Sequence, residues 1–261
     1  MSSFINLLQV RRERQRRGIK QPDVTMHLVF TGNPGTGKTT IARLLAKIYK
    51  RLGILTKGHL IEAERADLCG GYIGQTAIKT KEVINKAMGG ILFIDEAYSL
   101  ANSKSENDYG REAIETLLKA MEDNRHDFIV IVAGYTDLMA SFIDSNPGLR
   151  SRFNKFIEFD DYKPDELFAI FQSICIKSGF HMNFESKEAA SQFFKAYYFC
   201  RDSHYANARD VRNFFEKVMA NQADRLASQG IKGIATDDMM LFTVEDIMRA
   251  AYQFGMSSTE L

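Results

Sequence analysis

GNPGTGKT, residues 32–39, lies directly behind the apolar run 26–31 and ahead of a helical pattern, and its reading decides the fold. Strand, glycine-rich loop and helix in that order make a phosphate cradle. The glycines let backbone N–H groups turn inward around phosphate oxygens, Lys38 brings a point charge to the terminal phosphates, and the Thr39 hydroxyl reaches Mg²⁺. Contacts to the nucleotide are expected along Asn33, Pro34, Gly35, Thr36, Gly37, Lys38, Thr39 and Thr40.

Outward from the loop, a helix over residues 38–51 places Ile41, Leu44, Leu45 and Ile48 at helical spacing against a sheet, and Gly53 closes it. Residues 59–63 read as a second strand. The run 91–94 is continuously apolar, as a central parallel strand covered on both faces requires, and it ends in Asp95 and Glu96. Open α/β sheets place ligands at the carboxyl ends of their strands. Alone, such a pair decorates a helix N-terminus; beside a phosphate loop it reads as Asp95 holding Mg²⁺ and Glu96 polarising the attacking water. The chemistry implied is hydrolysis of a terminal phosphate. Residues 128–133 form another buried strand, and Thr136 beyond it is either a water or phosphate contact or a helix N-cap. Asn146, Pro147 and Gly148 read as a turn, and residues 155–159 as the last strand.

Two segments stand apart from this α/β pattern. Residues 67–76 set Tyr72 and Ile73 among Gly70, Gly71 and Gly74, which makes an exposed, mobile ring plausible on glycine's conformational freedom. Residues 1–20 carry an apolar stripe and then a run of arginines, one amphipathic helix ending near Gly18; it is a docking helix with a solvated basic side or a partner or nucleic-acid patch. After Asp161 the strand signals stop. Helical patterns over 164–177, 186–200, 206–227 and 243–252 carry Phe168, Phe171, Phe193, Phe194, Tyr197, Phe214 and Phe215 at core spacing. Residues 1–160 are therefore expected to hold the N-terminal helix and the nucleotide-binding domain, and 161–261 a small all-helical domain. In the latter, Arg209 is either a surface ion pair or a cation that folds onto the phosphates.

Composition narrows the partners. With 34 Lys and Arg against 33 Asp and Glu in 261 residues, no global field favours nucleic acid, an anionic membrane or an acidic partner. Three scattered cysteines without a CxxC pair give neither a disulfide framework nor a zinc site, so a reducing, cytoplasmic setting is expected. The longest apolar run, near 128–133, is far short of the ~20 residues of a membrane helix, and the N-terminus lacks the apolar core of a signal peptide.

HLVFTGNPGTGKTTIARLLAKIY, ADLCGGYIGQTAIKT, GGILFIDEAYSL, GLRSRF and NARDVRNFFE occur in this order, and together they resemble the AAA+ ATPases, within them the family of the red-type rubisco activase and the stage V sporulation protein K. The resemblance covers residues from about 20 to 255. It implies a five-stranded parallel sheet in the order 5-1-4-3-2 with a helical lid, and a hexameric ring of identical subunits with ATP and Mg²⁺ at the interfaces. By the same resemblance Lys38 and Thr39 belong to the first nucleotide motif, Asp95 and Glu96 to the second, Thr136 to the first sensor and Arg209 to the lid sensor. Arg150 or Arg152 becomes the arginine finger that completes a neighbour's site, with Arg152 preferred because it directly precedes Phe153. Tyr72, Ile73 and Gly74 become a pore loop gripping a client protein, and residues 103–109 a second one. No recognition domain is expected ahead of the first helix. Two functions are compatible with these residues: an ATP-driven remodeller that threads a client, or a nucleotide-gated scaffold or loader for protein or nucleic acid. The complete hydrolysis motif favours the first, and neither nucleic acid nor membrane is expected as a partner.

Overall fold

The computed structural model describes residues 10, 13–14, 16–19, 25–72, 74–101, 109–202, 205–231 and 233–256. Its chain divides into two compact units, Met1–Asn33 with Gly37–Phe159, and Pro34–Thr36 with Asp160–Leu261. In the first unit, β1 (Leu28–Gly32) leads to α1 (Lys38–Arg51), and β2 (Leu60–Ala63) to α2 (Arg65–Leu68) and α3 (Gln75–Ala87). Next, β3 (Ile91–Ile94) leads through the 3₁₀ turn Ala97–Leu100 to α4 (Tyr109–Asp123), and β4 (Ile129–Gly134) to α5 (Thr136–Asp144) and α6 (Pro147–Arg152). β5 (Phe156–Phe159) closes the unit. All the strands pair in parallel in the order β2-β3-β4-β1-β5, the order 5-1-4-3-2 read from the other edge.

Strand alternation sorts the core into two layers. Val29, Leu92, Ile94, Val130 and Val132 face α3, α4 and α5, where Ile84, Leu117 and Phe142 are buried. Leu28, Phe30, Ile91, Phe93, Ile129 and Ile131 face the opposite way, onto Ala42, Leu45, Ala46 and Tyr49 of α1. The buried stripe of α1 is rotated from the expected one: Leu44 is exposed, and the small Ala42 and Ala46 let the helix approach the sheet. Gly53, at φ 72°, ends α1 as expected of a left-handed C-terminal residue. The residues 146–148 open a helix rather than a simple turn. The Asn146 side chain accepts the Gly148 N–H at 2.7 Å and Pro147 takes the first helical position, so α6 forms and carries both Arg150 and Arg152. In the N-terminal segment, Gly18 has φ 71°, and Arg16 and Arg17 both pair with Glu13.

The second unit holds α7 (Pro164–Lys177), α8 (Phe184–Phe199), α9 (Ala208–Gln229) and α10 (Val244–Gln253). Its aromatics are packing: Phe193 stacks on Phe214 at 3.9 Å between ring centroids, and Phe171 touches Phe194, Phe214 and Phe215. One addition escapes the helical pattern. β6 (His181–Met182) and β7 (Leu241–Phe242) form a two-residue parallel ladder, too short to give any alternation in sequence. Asp246 is fully buried there, bound in bidentate fashion by Arg225 at 2.9 Å and accepting the Thr243 N–H.

Candidate nucleotide site

The register of the parallel sheet puts the chemistry on one edge. Thr31 pairs with Gly134 and Ile94 with Val132, so the carboxyl ends of β1, β4 and β3 come together, and each continues into a candidate residue. From β1 the chain enters the loop through Gly32, at φ 142°, where a Cβ would strike the Phe159 carbonyl of β5. Gly37, at φ 91°, is the N-cap of α1 and supplies no side-chain cap, which leaves the positive end of the helix dipole facing the loop. Lys38 Nζ donates to the carbonyls of Gly32 and Asn33, both at 2.8 Å, so the ammonium is folded over the loop it is expected to serve. Thr39 is half-buried, Thr40 and Asn33 are exposed, and Thr36 is buried. Gly35 has φ 71° and lies with Pro34 and Thr36 in the second unit. The loop, uncapped helix and lysine fit a nucleoside triphosphate, and the hydroxyl of Thr39 with the carboxylate of Asp95 is an oxygen-only donor set suited to Mg²⁺.

At the end of β3 the two carboxylates are held differently. Asp95 Oδ1 accepts the Glu96 N–H at 3.0 Å. Glu96 has φ 47° and ψ 42°, a left-handed conformation that non-glycine side chains rarely adopt, and its side chain is exposed. Both line a cleft of about 450 Å³ with Glu64, Arg65, Ala66, Cys69 and Ser99. Because Ala63 pairs with Ile94, Arg65 and Glu96 each follow two residues after a matched pair. Arg65 Nη1 donates to the Ser99 carbonyl at 2.5 Å. Tyr98 belongs to the same corner: its ring packs over Gly134 and lies 6.1 Å from that of Tyr135. Burial, then the charges of Glu96, Tyr135 and Asp95, push its phenol up to about 12, so it stays a neutral donor. Sequence reasoning passed over Arg65 and Tyr98, although the position of Arg65 two residues past the expected strand 59–63 was a usable signal.

Thr136 is exposed at the first position of α5, whose N-cap is Tyr135, so Thr136 is not the cap; it lies two residues past the Thr31–Gly134 pair. On α6 the two arginines differ sharply. Arg150 is 75 % exposed and pairs with Asp144 at 3.2 Å, whereas Arg152 is 26 % exposed and donates to Glu122 at 3.1 Å. His27 is buried beside this inner arginine, with Nδ1 accepting the Val130 N–H at 3.0 Å. Tyr72 is 74 % exposed, and Gly74, at φ 82°, caps α3 behind it. Ile73 and residues 102–108, most of the expected second pore loop, lie outside the described residues. In the second unit, Arg209 is exposed in the first turn of α9.

Comparison with known proteins agrees with this geometry. Residues 28–161 match the model of the ATPase family associated with various cellular activities (AAA), and residues 163–255 match an AAA lid domain. A curated relative, "Protein CbbX" of Cereibacter sphaeroides, is 50 % identical over 97 % of this chain and 81 % of its own. "Ribulose bisphosphate carboxylase/oxygenase activase, chloroplastic" of Cyanidioschyzon merolae is 45 % identical over 94 % of this chain and 83 % of its own. Among solved structures, the FIGL-1 AAA domain in complex with ADP superposes with a TM-score of 0.66 at 16 % identity, covering 100 % of this chain and 85 % of that one. The Thermotoga maritima RuvB Holliday junction branch migration motor gives 0.61 at 19 %, covering 100 % and 72 %. These two likenesses concern the fold alone.

Proposed function

The chain belongs to the AAA ATPase family, of the type of its activase relatives, and from that membership we propose that it hydrolyses ATP in a hexameric ring to draw a segment of a client protein into the central pore. ATP hydrolysis and a remodelling role go with the family and these relatives; the ring, the threading and the residue roles are the proposal. The observation that carries it is Tyr72, a large ring left 74 % exposed in a glycine-rich turn of the same unit that holds Asp95 and Glu96. A large ring exposed on the surface is what a gripping loop requires.

In this reading the loop 33–40 binds the phosphates, Lys38 neutralises the terminal ones, and Thr39 and Asp95 hold Mg²⁺. The metal, when bound, would neutralise charge developing on the phosphate oxygens. Glu96 accepts a proton from the attacking water and Thr136 orients that water. Of the two arginines, Arg150 is the better finger for a neighbouring subunit's site, because its guanidinium is accessible while that of Arg152 is engaged within its own subunit. The name of the Cyanidioschyzon merolae relative supports a ribulose bisphosphate carboxylase/oxygenase as the client.

The test uses a fluorescently labelled client peptide together with the purified chain. Lys38→Ala should abolish nucleotide binding, and Tyr72→Ala should keep ATP hydrolysis within about two-fold while losing remodelling. Remodelling that survives Tyr72→Ala would overturn the threading model in favour of a nucleotide-gated scaffold. A single monomeric species at every ATP concentration in light scattering would overturn the ring.

A further inference from the structure

Asn207 takes no part in the reading above, yet it is fully buried and has a backbone conformation, φ 54° and ψ −125°, that suits glycine better than asparagine. An asparagine kept in such a place is explained by its side chain. Oδ1 accepts the Tyr162 N–H at 2.9 Å, and Nδ2 donates to Asp161 Oδ1 at 2.8 Å and to the Pro34 carbonyl at 3.2 Å. Next to it, the Ala208 N–H donates to the Gly35 carbonyl at 3.2 Å. The turn itself is pinned by Asp210, whose Oδ2 accepts both the Tyr197 hydroxyl at 2.6 Å and the Ala206 N–H at 2.5 Å. Gly35 packs so closely that a Cβ would strike the Ala206 carbonyl, and would come within 3.0 Å of the Arg209 nitrogen.

Two consecutive carbonyls of the phosphate loop are thus gripped from outside the cradle. In a trans peptide the C=O of one residue and the N–H of the next point in opposite directions. Fixing the Pro34 carbonyl aims the Gly35 N–H away from Asn207, and fixing the Gly35 carbonyl aims the Thr36 N–H away from Ala208. We infer that Asn207 is a positioning residue for nucleotide binding: by holding Pro34, Asp161 and Tyr162 at once, it sets the direction of the loop amides that receive phosphate oxygens. The inference rests on the reading of residues 32–39 as the ATP site and adds a residue that acts on ATP only through the loop.

The experiment titrates the full chain with ADP carrying an N-methylanthraniloyl fluorophore and records thermal midpoints in parallel. Asn207→Gly keeps the backbone conformation and removes the side-chain grip, and it is expected to weaken ADP binding roughly ten-fold, the loss of one aligned donor to a charged ligand. Asn207→Asp sets a carboxylate against Asp161 and is expected to lower the thermal midpoint as well. In the double variant Asn207→Asp, Asp161→Asn, the amide and carboxylate are exchanged, so their mutual bond and the Tyr162 contact return while the Pro34 contact does not. Its thermal midpoint should recover and its ADP affinity should stay depressed. If affinity recovers along with stability, or if Asn207→Gly binds ADP within two-fold of wild type, the inference is overturned. Wild-type protein that gives no fluorescence change with this ligand would overturn the nucleotide reading itself, and the positioning role with it.

Discussion

The guanidinium of Arg152 reaches the carboxylate of Glu122 at 3.1 Å, on a carboxylate that Arg125 also engages at 2.5 Å. The arginine preferred on sequence is thereby drawn into its own subunit, and its Nε is buried with no hydrogen-bond partner among the described residues. Arg150, two residues earlier, projects into solvent. Helical geometry explains the difference, since residues two apart on a helix face away from each other.

Arg150→Ala should therefore slow hydrolysis by about 10³, the scale of a lost trans cation on a transferring phosphoryl group, with an unchanged thermal midpoint. Arg152→Ala should chiefly affect the fold, by less than about 1 kcal/mol because its partner is half in solvent. Steady-state ATPase assays with calorimetric scans on both variants decide it. A larger kcat loss in Arg152→Ala at constant midpoint would reverse the assignment.

Glu96→Gln should bind ATP normally and lower single-turnover hydrolysis by about 10² to 10⁴, the range for loss of a general base. Retention of the bound nucleotide as ATP, followed by chromatography of the quenched complex, checks this. Normal turnover would move the base elsewhere, with Glu64 of the same cleft as the next residue to change.

His27 makes stability depend on pH. Burial first, then the cations Arg152 and Lys155, push its pKa down to about 4 from 6.5. Between those values the unfolded chain takes up a proton that the folded chain refuses. The contribution of His27 is complete above pH 6.5 and is lost as pH falls towards 4, roughly 3 kcal/mol in all. Urea unfolding at pH 7.5 and pH 5 should differ by about 2 kcal/mol less in His27→Asn than in wild type. Equal pH responses in the two proteins would show that the ring is not held neutral.

Asp246→Ala should lower the thermal midpoint by on the order of 10 °C. The change leaves Arg225 buried without its carboxylate and removes the acceptor of the Thr243 N–H, a loss of about 3 kcal/mol. ATPase activity per folded molecule should be preserved, because the pair belongs to the core of the helical unit. Differential scanning fluorimetry alongside ATPase assays tests both halves.

Much of this was legible in the sequence because it depends on local signals. Gly37 and Lys38 announce a strand-loop-helix passage on their own, and the apolar run Ile91–Ile94 ending in Asp95 names a strand and its chemistry together. Pro164 and Thr243 mark helix starts through first-turn and capping preferences. What remained hidden depends on contacts distant in sequence. The rotation of α1 that exposes Leu44 is set by which residues are small enough to meet the sheet, and the inward turn of Arg152 by Glu122, 30 residues away. Asn207 meets Pro34 across 173 residues, and no spacing rule connects them.

Glu96 stands in a backbone region where an L side chain loses about 1 kcal/mol and glycine loses nothing. Glu96→Gly should accordingly produce a protein that resists heat better than the natural one and hydrolyses ATP about 10² to 10⁴ more slowly. In the catalytic role proposed for Glu96, a change that raises the melting temperature and a change that ends hydrolysis would be the same substitution. Selection for thermal robustness alone would erase this residue early, so a screen that reads only folding would drift towards inactive protein.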